Sequence, residues 1–407
     1  MREVAVIGVG MNRFGKYPEK GIKQLVEESV TKTLEDAGVK KGQIEAAFVG
    51  NAAAGLMTGQ EMIRGQTVLS ALGIDAIPIY NVENACASSS SAFNMAWMSV
   101  ASGVHDVALV VGFEKLYDKD KMKSYMALAT AVDVEKMTEH IKEAEKRLPP
   151  KEKILQEGAG QNRSIFMDLY AFFIRQYMEK YGLTQEHFAK LSVKAHKTGA
   201  LNPHAQYQKE VTVEEVLNSG DVVFPLTRMM CSPIGDGSAA AVLCAKPKVA
   251  QFTSKPVWVA GSVVGSGKLT PELNDTVTRR LAPRLYEKSG LGPEDVDLVE
   301  LHDTTSPSEI MFLIELGLCP AEEAAEWIDK GELSAAGRMP TNTSGGLACK
   351  GHPIGATGCG QIHEVVKQLR DEAGRRQVQG AKIGMTHNGG GILGTDAAAM
   401  ALHMFKR

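Results

Sequence analysis

Cys86 stands where a cysteine can act as a nucleophile. It lies in Asn84-Ala85-Cys86-Ala87-Ser88-Ser89-Ser90-Ser91, a run of small residues. Before it, Ile77-Pro78-Ile79-Tyr80-Asn81-Val82 reads as extended, from its β-branched content and Pro78; after it, Ala92 to Ala101 reads as a buried helix. Small residues at such a junction let the backbone turn sharply, so the pattern predicts Cys86 at or near a helix N-terminus. The unpaired N–H groups and the dipole there favour the thiolate, the reactive form of cysteine. The same stretch also reads as a small buried cysteine in a packed elbow, because free cysteine is commonly buried.

Two more stretches lie near the C-terminus: Asn342-Thr343-Ser344-Gly345-Gly346-Leu347-Ala348-Cys349-Lys350-Gly351-His352-Pro353-Ile354-Gly355-Ala356-Thr357-Gly358, and His387-Asn388-Gly389-Gly390-Gly391. With these the sequence resembles the thiolase superfamily. The cysteine elbow, GHPIGATG and a Gly-rich C-terminal loop match in kind and order, over essentially the whole chain. GHPIGATG is highly specific and the elbow less so. The resemblance implies an α/β fold, a duplicated five-layered α-β-α-β-α arrangement with an inserted loop domain, and a site between the two like halves.

The resemblance also implies roles, residue by residue. Cys86 is the nucleophile that takes up the acyl group as a thioester, and His352 of GHPIGATG activates it, a Cys–His pairing expected of an activated thiol. His302 follows the strand-like Val296 to Leu301 in Leu301-His302-Asp303-Thr304-Thr305. Many thiolases carry Asn-Glu there and the sterol-carrier-protein type carries His-Asp, so His302 would hold the substrate's thioester oxygen as charge develops on it; the plainer reading is a structural strand-end residue. The C-terminal loop departs from the commonest pattern, in which a second cysteine stands as Cys-x-Gly. Here His387-Asn388-Gly389 occupies that place. The sterol-carrier-protein type also has histidine there and puts its second cysteine after His-Asp, where this chain has Thr304. With neither cysteine present, His387 is the remaining candidate for the acid–base at the α-carbon, since imidazole titrates near neutrality, or else it positions the glycine loop. The backbone N–H of Gly389, with that of Cys86, would form the oxyanion hole of the acyl-enzyme.

The implied activity is that of a coenzyme A-dependent thiolase, an acyltransferase that cleaves a 3-oxoacyl-CoA or condenses two acyl-CoA units. Coenzyme A enters as co-substrate; no bound cofactor and no metal is expected. Two other readings stay open: a decarboxylating condensing enzyme with a Cys-His-His site, against which GHPIGATG and HNGGG weigh, and a non-catalytic acyl-CoA-binding subunit, which the missing second cysteine keeps in view. The resemblance implies a homo-oligomer paired across a two-fold axis. The chain is also similar to thiolases that act with a small acyl-CoA-binding partner. Phe166, Met167, Tyr170, Phe172 and Phe173 suit either a bulky acyl pocket or a helix core.

Composition sets bounds. A length of 407 residues suggests two domains, and a net charge of −3 gives no basic excess for nucleic acid. No apolar run is long enough to span a bilayer and no signal peptide is legible, so a cytoplasmic protein is expected. The six cysteines form no CxxC pair, which favours reduced thiols. Cys359 and His363, four apart, lack a third ligand and read as a packing pair.

The elements that must position these residues can be read in outline. Val4 to Ile7 is strand-like and leads to Gly8-x-Gly10-x-x-x-x-Gly15, a poor dinucleotide fingerprint that reads better as a strand-to-loop turn. Apolar spacing predicts a helix over Ile22 to Ala37 with Gly38 as its stop, another near Met62 to Leu72, and a buried strand over His105 to Gly112. Residues 118 to 158, rich in Lys and Glu and containing Pro149-Pro150, read as a charged insertion; residues 163 to 200 read as helical with a break at Gly182. The second half echoes the first: Gly38, Ile44 and Asn51 answer to Gly290, Val296 and Asp303 at a constant offset of 252 residues. The expected division is 1–250, including a loop domain at about 116–230, and 251–407.

Overall fold

The computed structural model describes residues 1–146, 153–253, 255–269 and 275–407; Pro149-Pro150 lies outside them. Among the described residues the strands are β1 (Val4–Met11), β2 (Ala46–Gly50), β3 (Ile79–Val82), β4 (Val107–Glu114), β5 (Asp221–Val223), β6 (Leu226–Thr227), β7 (Gly237–Ala245), β8 (Val257–Ser266), β9 (Leu298–Glu300), β10 (Ile383–Leu393) and β11 (Asp396–Lys406). Nine of them follow the order β3-β2-β4-β7-β1-β8-β11-β10-β9, and β5-β6 is a separate ribbon.

That order is a duplication. β1 and β8 meet in the middle through only Ala5↔Trp258 and Val6↔Val257. Outward from them, each half repeats one pattern: the first strand pairs antiparallel with the last, as β1–β7 and β8–β11, and a parallel pair follows, β2–β4 and β9–β10. The echo in the sequence is an echo in geometry. The helices Ile22–Ala37 and Val277–Ser289 both end at a left-handed glycine, Gly38 (φ 65) and Gly290 (φ 69). Each is followed by a one-turn 3-10 helix, Lys41–Gln43 or Pro293–Asp295, and then by the second strand of its half.

Alternation along the strands builds the layers. Ala5 and Ile7 of β1 face the helix Ile22–Ala37, while Val4 and Val6 face an inner layer made by the helices Ser88–Ser102 and Thr357–Leu369. The helix Val277–Ser289 packs on the far side of β8 and β11. The sequence of layers is therefore helix, sheet, paired inner helices, sheet, helix, the arrangement expected of the fold. Gly8-x-Gly10 opens no turn: β1 runs through both to Met11. A Cβ on Gly8 would lie 2.4 Å from the Cβ of Ala37, so the glycine serves close contact with the first helix. Between β4 and β7 the chain leaves the sheet through the helices Lys121–Leu128, Met137–Glu145, Ile165–Tyr181 and Gln185–Ala200, the last two separated at Gly182 (φ 67).

Candidate active site

The elbow after β3 is a 3-10 turn, Ala85–Ala87, running into the helix Ser88–Ser102. Ala85 takes a φ of 48, a left-handed conformation that costs a residue with a Cβ about 1–2 kcal/mol. The serines that follow hold the turn, each with a different task. Ser88 Oγ accepts from the Asn84 N–H at 3.0 Å, and Ser91 Oγ accepts from the Asn84 amide at 2.8 Å. Ser89 Oγ accepts from the Cys359 N–H at 3.1 Å, and Ser90 Oγ donates to Asn388 Oδ1 at 2.9 Å. All four serines are buried. The run of serines thus ties the Cys86 turn to Asn388 and to Cys359, the residue after GHPIGATG.

His302 follows β9, and His352 lies in the loop before the helix Thr357–Leu369. Cys86 Sγ and one ring nitrogen of each histidine lie within 4.8 Å of one another. The two rings meet edge to face at 5.2 Å between centroids. Hydrogen bonds select their tautomers. The Thr357 hydroxyl donates to the Pro353 carbonyl at 3.0 Å, so its oxygen accepts from His352 Nδ1–H at 2.8 Å. His352 Nε2 is then left with its lone pair, the form a general base needs. Asn388 Oδ1 is occupied by Ser90, so its amide donates to His302 Nδ1 at 3.1 Å. His302 Nε2 then carries the proton and is a donor. With both Nδ1 atoms engaged, the Nε2 atoms of the two rings are the ones left free for other partners.

Electrostatics correct one expectation. Burial pushes the Cys86 thiol up to about 12; the Glu114 carboxylate adds to the rise, and the N–H groups of Gly391 and Cys86 oppose it. Burial also holds His352 well below the usual imidazole range, helped by His302 and Lys350, and takes His302 down to about 3. Desolvation disfavours both charged forms. Burial thus opposes what the helix N-terminus favours, and it holds both Cys86 and His352 toward their neutral forms.

Glu114 is a buried residue beside the site that the sequence alone does not single out. Its buried carboxylate accepts from the N–H of Gly355 at 3.1 Å, of Ala52 and Ala53 at 3.2 Å each, and from the Asn51 amide at 3.1 Å. It pins the His352 loop to the ends of β2 and β4. The available signal is a carboxylate closing an otherwise apolar strand, Val107-Ala108-Leu109-Val110-Val111-Gly112-Phe113-Glu114.

A cavity of about 730 Å³ opens over this site. Cys86, His302, Thr304, His352 and Gly389 are all on its wall. Phe166, Met167, Tyr170 and Phe173 line it as well, whereas Phe172 turns into a separate apolar cluster with Ile141, Ile154 and Leu169. The aromatic stretch thus divides between the cavity wall and an apolar cluster, on different faces of one helix. His387 is not on the wall. Along β10 it faces the side opposite to Asn388, and it lies behind the wall against Thr278 and Phe312. Its Nδ1 accepts from the His302 N–H at 3.4 Å, its Nε2 bonds Thr278 Oγ1 at 3.0 Å, and its ring centroid is 4.3 Å from that of Phe312. Burial takes it down to about 3. The structure does not bring His387 to the reacting atoms. Cys86, His302 and His352 are also the one group of three metal-ligating atoms this close among the described residues.

Comparison with known proteins agrees. Residues 4–247 match the family model described as thiolase, N-terminal domain, and residues 267–402 match thiolase C-terminal domain-like. An acetyl-CoA acetyltransferase of Methanothermobacter thermautotrophicus is 39% identical over 412 residues, covering 100% of each chain. Sterol carrier protein 2 of Homo sapiens is 34% identical over 97% of this chain and 72% of its own. Human mitochondrial 3-ketoacyl-CoA thiolase shares the fold, with a TM-score of 0.70 at 16% identity over 100% of this chain and 98% of its own. The Ltp2-ChsH2(DUF35) aldolase shares it too, at 0.75 and 24% over 99% of this chain and 97% of that one. Matches that run through both halves of the duplicated sheet, with a full-length relative at 39% identity, mean that the chain belongs to the thiolase family.

Proposed function

We propose that the protein is a coenzyme A-dependent thiolase, an acyltransferase that cleaves a 3-oxoacyl-CoA, or runs the reverse Claisen condensation, through acyl-Cys86. The observation that carries this reading is that Cys86 Sγ and one ring nitrogen each of His302 and His352 lie within 4.8 Å of one another at the cavity, while Thr357 and Asn388 engage the two Nδ1 atoms and leave a lone pair on His352 Nε2 and a proton on His302 Nε2. As Cys86 Sγ attacks the 3-keto carbon, its proton passes to His352. The bond between C2 and C3 then breaks, and its electron pair moves into the thioester enolate, whose oxygen accepts from His302. The acyl carbonyl left on Cys86 is served by the backbone N–H groups of Cys86 and Gly389. We assign His387 to positioning, because its Nδ1 accepts the His302 N–H.

Coenzyme A is the co-substrate, as the names of the relatives suggest. Lys16, Lys121 and Arg228 on the cavity wall suit its phosphates. The aromatic wall suits a bulky acyl group, and benzoylsuccinyl-CoA, an aromatic 3-oxoacyl-CoA, is a candidate worth including in a substrate panel. We also propose a homo-oligomer: β3 is a sheet edge, and Tyr80 on it and Met62, Ile63, Met95 and Met98 on or next to the helices that pack beside it are exposed large apolar residues. Light scattering at micromolar concentration would refute this with a monomeric mass. The Ltp2-ChsH2(DUF35) aldolase is by its name a two-component assembly, which supports looking for a small partner here. Six free cysteines suit a reducing compartment, and we place the protein in the cytoplasm. No helix among the described residues is long and apolar enough to cross a membrane.

The test is thiolysis of a panel of 3-oxoacyl-CoA substrates, with intact mass following acylation. Native protein should gain the acyl mass and Cys86→Ser should not. Absence of acylation in the native protein would favour a binding subunit instead, and release of CO₂ from a malonyl thioester would favour a condensing enzyme.

A further inference from the structure

Cleavage needs a proton at the α-carbon that none of the groups assigned above supplies. Cys86 and His352 exchange one proton between themselves, His302 Nε2–H is committed to an oxygen, and His387 lies behind the wall. We propose that the Tyr170 hydroxyl is the acid–base group that moves the proton at the α-carbon of the acyl-CoA. This inference rests on the thiolase reading.

Tyr170 comes from the helix Ile165–Tyr181, which shows Met167, Tyr170, Phe173 and Tyr177 to the cavity at helical spacing. Its hydroxyl reaches Thr304 Oγ1 at 3.2 Å, and Thr304 is two residues beyond His302 on the same wall. That distance exceeds the usual ~2.5–3.0 Å of an O–H···O bond, so little is lost when a substrate carbon replaces Thr304 as the partner. Tyr170 therefore lies beside residue 304, where this chain has a threonine, an alcohol far too weak an acid to move the α-proton itself. It is also near enough to Cys86 for charge on that sulfur to raise the phenol further, on top of the rise from burial.

The proton balance closes. When the bond between C2 and C3 breaks, the enolate carbon takes the Tyr170 proton, releasing the shortened acyl-CoA and leaving a phenolate. The incoming coenzyme A thiol gives its proton to that phenolate. The resulting CoA thiolate attacks the acyl-Cys86 carbonyl, Cys86 leaves as thiolate, and it recovers its proton from the His352 imidazolium. Both transfers at Tyr170 run downhill: an enolate carbon is a stronger base than a phenolate, and a thiol at about 8.5 is a stronger acid than a phenol at about 10 or above.

Tyr170→Phe keeps the ring and removes the proton. Given acetyl-CoA, it should acylate Cys86 at a rate close to native by intact mass. Exchange of the acetyl α-hydrogens with D₂O, and thiolysis, should fall by about 10²–10⁴-fold. Cys231, also on the wall, has its thiol against the Thr227 carbonyl at 3.5 Å, so Cys231→Ala should leave exchange native. Should Tyr170→Phe fold poorly, 3-fluorotyrosine at position 170 keeps the hydroxyl but makes it more acidic. The pH profile of exchange should then move to lower pH, which a residue that only packs would not cause. The proposal is overturned by native exchange in Tyr170→Phe, by loss of exchange in Cys231→Ala, by loss of acylation together with exchange in Tyr170→Phe, or by an unmoved profile with fluorotyrosine. Failure of the native protein to acylate Cys86 would overturn the thiolase reading and this inference with it, an outcome seen before any variant is made.

Discussion

Alanine at position 390 should damage catalysis far more than alanine at position 389, although the two glycines are neighbours in one strand. A Cβ on Gly390 would lie 2.1 Å from the Asn84 carbonyl oxygen and 2.7 Å from the Ala87 nitrogen, where separations under 3.0 Å are essentially never seen. Both obstacles are backbone, one on each side of Cys86, so no side chain can rotate away. Either β10 or the elbow must move by about the difference between 2.1 and 3.0 Å. A displacement of that size at reacting atoms costs on the order of 10²-fold in rate, and forcing a methyl into packed surroundings costs about 1–3 kcal/mol. On the opposite face, a Cβ on Gly389 meets first the terminal methyl of Met400, at 3.1 Å, a flexible side chain that can yield. Gly389→Ala also keeps its N–H. We therefore expect Gly390→Ala to acylate Cys86 about 10²-fold more slowly and to unfold at lower urea, and Gly389→Ala to stay within a few-fold of native. Acylation by acetyl-CoA, quenched and weighed by intact mass, reads the first; urea titration reads the second. Equal rates for the two variants would refute the claim that contact between β10 and the elbow sets the position of Cys86.

Alkylation of Cys86 by iodoacetamide should speed up about tenfold per pH unit from pH 6 to 9, because burial pushes the thiol to about 12 and keeps His352 neutral; a plateau near neutrality would reveal a preformed thiolate–imidazolium pair. Lys350→Met should lower unfolding free energy by about 3–5 kcal/mol, since it strips the buried Glu300 of the ammonium 3.3 Å away. A urea titration showing a loss under about 1 kcal/mol would mean that the bonds from Ser344 hold Glu300 without it. His387→Ala should slow thiolysis through a displaced His302 while leaving the limbs of the pH–rate profile where they are, because an imidazole at about 3 does not titrate near neutrality. A limb that moved with this substitution would return the acid–base role to His387.

What could be read from the sequence was local or carried by a specific motif. The helix Ile22–Ala37 and its stop at Gly38, and the pair of helices separated at Gly182, follow from apolar spacing and a glycine that can take positive φ. The elbow, GHPIGATG and His302 pointed to three residues that meet within 4.8 Å. The misses share a cause. Gly8-x-Gly10 looked like a turn because glycine marks turns, yet here it marks where a helix presses on a strand, and that contact is between segments far apart in sequence. The thiolate expected at Cys86 came from the helix N-terminus, a local feature; the burial that outweighs it is made by the whole fold. His387 was chosen because histidine titrates near neutrality, but in a strand each residue faces the side opposite to the next. Register against the elbow therefore decides the matter: Asn388 shares a face with Gly390, which touches Asn84 and Ala87, so it is Asn388 that reaches Ser90 and His302. His387 is turned to Thr278 and Phe312. One step along β10 thus separates the residue that orients His302 through its ring nitrogen from the one that supports it through its backbone, and the motif names both without saying which is which.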